Sequence, residues 1–136
     1  MENSLRYFDC FWAAVRSGLY FTTINRYLQP DETTYILEDS NCKALFTSAK
    51  MAELMAGIPE LAPNVEVLLS VGGGVDGFDD YETMLAQYPA ERLERQPEGG
   101  TMLYSSGTTG RPKGIKRPLP DLEIDDPEGI NGVTML

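Results

Sequence analysis

An apolar stretch, Thr101-Met102-Leu103-Tyr104, runs without a break into Ser105-Ser106-Gly107-Thr108-Thr109-Gly110-Arg111-Pro112-Lys113-Gly114. This junction constrains the fold more than any other feature of the chain. A short apolar run of this kind reads as a buried strand. The residues after it can donate hydrogen bonds to oxyanions from a flexible loop. Ser105, Ser106, Thr108 and Thr109 carry hydroxyls, and Gly107 and Gly110 have no Cβ to hold a ligand off the backbone. Lys113 adds a point charge suited to phosphate. The loop is not a Walker A loop, because counting from Gly107 places Pro112 where the second glycine of that motif must stand. A Ser/Gly/Thr-rich surface linker has a similar composition. It explains neither the ordered Arg111-Pro112-Lys113-Gly114 ending nor the apolar lead-in.

Periodicity places this loop in an alternating pattern. Leu5, Phe8, Phe11, Trp12, Val15 and Leu19 recur at helical spacing, which predicts an amphipathic helix over 4–17, capped by Asn3 or Ser4 and ended by Gly18. A stripe of this spacing is read as core rather than as a ligand surface. Tyr20 to Ile24 is a short β-rich segment. Pro30-Asp31-Glu32 starts a second helix, with Pro in the first turn and acids favoured by the dipole, running through Ile36 and Leu37 toward Asp39. Lys43 to Thr47 is a buried strand. Ser48 caps a third helix carrying Met51, Leu54 and Met55, closed by Gly57 and Pro59. Val65 to Val71 is the strongest strand, and Asp79 or Asp80 starts a short helix through Met84 and Leu85. A charged stretch, 90–100, leads into the strand at 101–104. The alternation predicts an α/β fold, a parallel sheet with helices on its faces. Ligands in such sheets bind beyond the carboxyl ends of the strands, where residues 105–113 fall. Residues 118–136 show little periodicity and read as loop.

The net charge of −10 over 136 residues argues against nucleic acid, since phosphate neutralisation would be lacking. Lys113, Lys116, Arg117 and Arg111 nevertheless cluster around the loop, while Asp121, Glu123, Asp125 and Asp126 come after it. A basic island beside hydroxyls on an acidic protein favours a small anionic ligand, the plain alternative being a solvated patch. Cys10 and Cys42 lie on apolar stretches without a CxxC spacing, and histidine is absent. Zinc, His-based catalysis and a disulfide framework are therefore poorly supported, and the thiols read as reduced and buried in a cytoplasmic protein. No apolar run approaches membrane-spanning length.

A competing motif is Gly72-Gly73-Gly74-Val75-Asp76-Gly77, which satisfies GxGxxG and comes after a strand. Taken alone it suggests a dinucleotide-binding module of the oxidoreductase class. Asp76, Asp79 and Asp80 would set negative charge where a pyrophosphate must sit, which favours a glycine-rich surface turn.

The run 103–114 resembles, at every position, the phosphate-binding signature of the AMP-forming synthetases, closest to the acyl-CoA synthetases. Upstream, Ala13-Ala14-Val15-Arg16-Ser17-Gly18 with Asn25, and Lys43-Ala44-Leu45-Phe46-Thr47, look like that family's preceding elements. The resemblance implies a partial AMP-binding domain over 1–117, with 118–136 a loop or truncated continuation. It implies a parent ligase that joins a carboxylic, and here a fatty, acid to ATP with Mg²⁺ and passes the acyl group to coenzyme A. By position, Ser105, Ser106, Thr108, Thr109 and Lys113 would contact phosphate oxygens, Gly107 and Gly110 would provide the bend, and no catalytic residue falls in the chain. Ile115-Lys116-Arg117-Pro118 departs from the Thr-His pair of many members. The family's ribose-binding aspartate, domain hinge and catalytic lysine are not in the sequence, so the chain by itself is not expected to catalyse adenylation. The alternatives are a non-catalytic phosphate-binding remnant and a fragment with no function of its own. Self-association through an exposed, unfinished core is a further expectation.

Overall fold

A computed structural model describes residues 1–105 and 111–127. The chain divides into two compact units: Met1–Tyr7 with Ile24–Ala90, and Phe8–Thr23 with Glu91–Leu136.

The first unit is built on two parallel strands, β2 (Ala44–Ser48) and β3 (Val67–Val71), paired along their whole length from Ala44↔Val67 to Ser48↔Val71. A parallel pair needs a crossover. Here it is a 3₁₀ turn (Ala49–Met51) followed by α3 (Ala52–Met55) and α4 (Ile58–Leu61). The single third helix expected from Ser48 is thus two short ones. Gly57, with φ 79°, breaks the first as expected, but Pro59 opens the second rather than closing anything. Proline's missing amide costs nothing in a first turn. α2 (Pro30–Asp39) begins where Pro30-Asp31-Glu32 predicts; the Gln29 amide donates to the Glu32 carboxylate at 2.9 Å. The core joins Leu37 of α2, Leu45 of β2, Ile58 and Ala62 around α4, and Val65 ahead of β3. A two-residue strand, β4 (Asp79–Asp80), pairs parallel with β3 and leads into α5 (Tyr81–Leu85).

The second unit holds the other sheet, in the order β1-β5-β6. β1 (Tyr20–Phe21) runs parallel to β5 (Gly100–Ser105), with Tyr20 opposite Gly100. β5 then pairs antiparallel with β6 (Lys113–Lys116). The expected parallel pairing holds for β1 with β5, β2 with β3 and β3 with β4, and the segment after the glycine-rich run adds one antiparallel strand, the only partner a connection of seven residues permits. The α/β class itself holds.

α1 (Leu5–Val15) forms at the predicted place and ends ahead of Gly18, whose φ is 70°. Its aromatic stripe is not core. Cys10 and Val15 are its buried residues, while Leu5, Phe8 and Trp12 are 83%, 58% and 42% exposed. Periodicity identifies the residues that share a face; it does not say that anything covers the face.

Candidate functional site

β5 and β6, the strands that flank the glycine-rich run in sequence, pair with one another. Ser105 ends β5, Lys113 begins β6, and the two stand opposite one another as the last rung before the loop. Of the seven residues expected to hold phosphate, these two are described; Ser106, Gly107, Thr108, Thr109 and Gly110 lie outside the described residues.

Side chains alternate across a strand, so Leu103, Ser105, Lys113 and Ile115 share one face of the hairpin. That face is open. Leu103 and Ile115 are 46% and 58% exposed, and Ser105 and Lys113 are exposed with them. None of the ion pairs among the described residues engages Lys113.

The opposite face fixes the geometry. Met102, Tyr104, Gly114 and Lys116 lie there, and Met102 is buried. Gly114 stands opposite Tyr104, and a Cβ on it would clash with Met102 Cε and lie 3.0 Å from Tyr104 Cζ. The position favours glycine through close packing, not through backbone conformation. Lys116 does not face the ligand side. Its Nζ lies 4.4 Å from the centre of the Tyr20 ring, and the Tyr20 hydroxyl donates to the Arg117 carbonyl at 2.5 Å. The basic island read from sequence is therefore divided, with Lys113 on the open face and Lys116 anchored to β1.

Sequence reading missed the base of the hairpin. Residues 92–98, read as a polar connector, pair with 122–125, read as loop. Pro97 bridges Glu123, the Glu98 amide donates to Leu122 O at 2.9 Å, and the Ile124 amide donates to Gln96 O at 2.8 Å. Arg92 pairs with Asp125. Arg95 donates twice to Glu123 Oε1, at 2.9 and 3.1 Å, and the Gln96 amide donates to Glu123 Oε2 at 2.6 Å. That amide, with Arg95 beside it, holds the Glu123 carboxyl below the usual carboxylate range. The available signal was the order of charges: bases at 92 and 95 face acids at 125 and 123 in reverse, as an antiparallel pair demands.

The rival motif is built differently. Gly72, Gly73, Gly74 and Gly77 all have positive φ, between 64° and 80°, and form a tight turn. The helix after this turn has five residues, and the Asp80 carboxylate accepts the Thr83 amide at 2.8 Å. A side-chain acid thus occupies the place a dinucleotide pyrophosphate would need, which sets the dinucleotide-binding alternative aside.

The model of the AMP-binding enzyme family matches residues 1–118. The chain belongs to that family. It is 34% identical over 123 residues to 3-hydroxybenzoate–CoA ligase of Aromatoleum sp. strain CIB, covering 85% of this chain and 23% of that enzyme. It is 38% identical over 98 residues to the medium-chain acyl-CoA ligase Mig of Mycobacterium avium, covering 66% of this chain and 18% of the relative. The crystal structure of the anthranilate CoA ligase AuaEII in complex with anthranoyl-AMP superposes with a TM-score of 0.73 at 29% identity, covering 83% of this chain and 23% of that one. The chain thus spans about a fifth of the length of its relatives. Among the described residues no helix is long and apolar enough to cross a membrane. No group of three or more acidic, cysteine or histidine side chains among them is placed to hold a metal ion. The Mg²⁺ implied by the resemblance is therefore assigned to no residue here.

Proposed function

We propose that this chain carries the ATP-phosphate loop of an acid–CoA ligase, which activates a carboxylic acid as an acyl-adenylate and passes it to coenzyme A. The observation that carries the reading is the Ser105–Lys113 rung, which stands a hydroxyl-bearing and an ammonium-bearing residue opposite one another on the exposed face, where the strands meet the loop. Adenylation needs negative charge on the departing pyrophosphate to be met by fixed donors. Lys113 supplies a full charge and three N–H donors, and Ser105 a hydroxyl. Ser106, Thr108 and Thr109, with the backbone at Gly107 and Gly110, complete the donor set by sequence. The paired rung fixes the backbone from which these donors reach, while the Lys113 stem stays flexible and is ordered when phosphate binds.

For the acid, relatives named for 3-hydroxybenzoate, anthranilate and medium-chain acyl groups support a monocarboxylate with an aromatic or aliphatic body. The fatty acid expected from sequence is one member of that class. The test is pyrophosphate release by the full-length protein over a panel of aryl and straight-chain acids, with Lys113→Ala and Gly74→Ala compared. Losing a charge-assisted contact costs about 1.5–3 kcal/mol, so Lys113→Ala should raise the KM for ATP roughly ten- to a hundredfold. Gly74 has open space within 4 Å but a φ of 68°, so alanine there should cost roughly 1–2 kcal/mol of stability through backbone strain while leaving the KM for ATP near normal. Greater damage at Gly74 than at Lys113 would overturn the assignment.

A further inference from the structure

We infer that Glu123 is a positioning residue for the Ser105–Lys113 rung, an inference that rests on the phosphate-site reading above. A one-residue slip in an antiparallel pair moves every side chain of one strand to the other face. Such a slip between β5 and β6 would carry Lys113 away from Ser105. Short hairpins prevent slippage through turn geometry. Here seven residues, 106–112, separate the strands, more than the roughly two to five of hairpin loops whose type sets a register. The ladder itself has four rungs, Met102↔Lys116 to Ser105↔Lys113, and β6 is an edge strand among the described residues. Beyond Tyr20, which meets Lys116 and Arg117, the register is held from below.

The base supplies that hold, and Glu123 is its centre. The bridge Pro97↔Glu123 is offset by two residues from the β5–β6 register, and the surplus is taken up around Arg117–Pro120. Leu119 of that bulge packs against Gly100, where an added Cβ would stand 3.0 Å from Leu119 Cδ2. Pro97 and Glu123 form a non-hydrogen-bonded pair, whose backbone bonds are carried by the residues on either side, so a proline is tolerated there at no loss to the ladder. The Glu123 side chain adds to the backbone pairing by accepting the Gln96 amide at 2.6 Å, while Arg95 holds the other carboxylate oxygen. One side chain so reinforces a register that two backbone bonds also define. The Glu98 amide to Leu122 O and the Ile124 amide to Gln96 O flank it on both sides.

The experiment measures KM for ATP and for the acid in the full-length protein, for Glu123→Ala, Glu123→Gln and Arg95→Ala, with Lys113→Ala as reference. Loss of the charged acceptor should raise the ATP KM about three- to tenfold in Glu123→Ala, while the acid KM stays within about twofold. Glu123→Gln keeps an acceptor for the Gln96 amide and should fall between wild type and alanine. Arg95 is 77% exposed, and its removal should change the ATP KM least. An unchanged ATP KM in Glu123→Ala, with Lys113→Ala impaired, refutes the positioning role and leaves the phosphate site standing. If Lys113→Ala is also silent, the phosphate reading fails and takes this inference with it. A parallel rise in both KM values means general damage and likewise refutes it. Should Glu123→Ala fold poorly, the glutamine variant decides: an ATP-selective rise supports the role, and wild-type values overturn it.

Discussion

Gly114→Ala is a sharp probe of how the loop's exit is packed. Gly114 has an ordinary negative-φ backbone, so alanine there would by itself stabilise by about 0.4–1 kcal/mol through the unfolded chain. The structure predicts the opposite sign. The new methyl would overlap Met102 Cε and press on the Tyr104 ring, 3.0 Å from Cζ and 3.1 Å from the hydroxyl oxygen. Met102 is only 7% exposed, so its methyl has little space to retreat into. Tyr104 is the directly opposed residue of the rung and can move only by tilting off β6. Overpacking of this kind costs about 1–3 kcal/mol, which exceeds the entropic gain and leaves a net loss of roughly 1–2 kcal/mol. The assay is urea unfolding of the full-length protein, read beside its ATP KM. Met102→Ala alone should cost about 2–5 kcal/mol, but adding Gly114→Ala to it should cost less than Gly114→Ala does in wild type, because the methyl that collides is then gone. A Gly114→Ala protein as stable as wild type, or more so, would refute the reasoning.

Two further outcomes rest on the same kind of geometry. Gly99→Ala should be far worse, by about 4 kcal/mol or more, because its Cβ would strike backbone, Leu19 O and Val15 Cα, rather than side chains that can turn away; recovery of soluble protein at wild-type yield and melting temperature would contradict this. Glu2 accepts from the Ser48 hydroxyl at 2.5 Å and pairs with Lys50 at 3.2 Å, which lowers its pKa from 4.5 to about 2. A depressed carboxylate contributes stability above its unfolded value and loses it as pH falls, here between 4.5 and about 2. Lys50 is 74% exposed, so solvent screening reduces the contribution to on the order of 1 kcal/mol. Wild type should thus lose about that much more stability than Glu2→Gln between about pH 5 and about pH 2.5, and equal losses would sink the assignment.

The parts of this fold that were legible in the sequence are those whose causes are local. α2 starts where Pro30, Asp31 and Glu32 satisfy or tolerate the free amides of a first turn, and Asp80 caps α5 through the Thr83 amide three residues on. β2, β3 and β5 are short apolar runs between breakers, and the loop's hydroxyls and glycines announce themselves by composition. What escaped reading depends on residues far apart in the chain. β6 is short, and three of its four residues are exposed, so nothing in Lys113-Gly114-Ile115-Lys116 marks a strand until β5 is known to lie beside it. The stripe on α1 shows the same limit in reverse, because a strong local pattern left open which surface meets it. The base of the hairpin is the clearest case. Arg95 and Glu123 are 28 residues apart, and either alone is an ordinary surface charge. Pro97 stands between them at a non-hydrogen-bonded pair, where its missing amide leaves no gap in the ladder. In sequence that proline reads as a breaker in a charged connector. In the fold it is a tolerated ladder position, and the Glu123 carboxylate, by accepting the neighbouring Gln96 amide, ties the segment after the loop to the one that leads into β5.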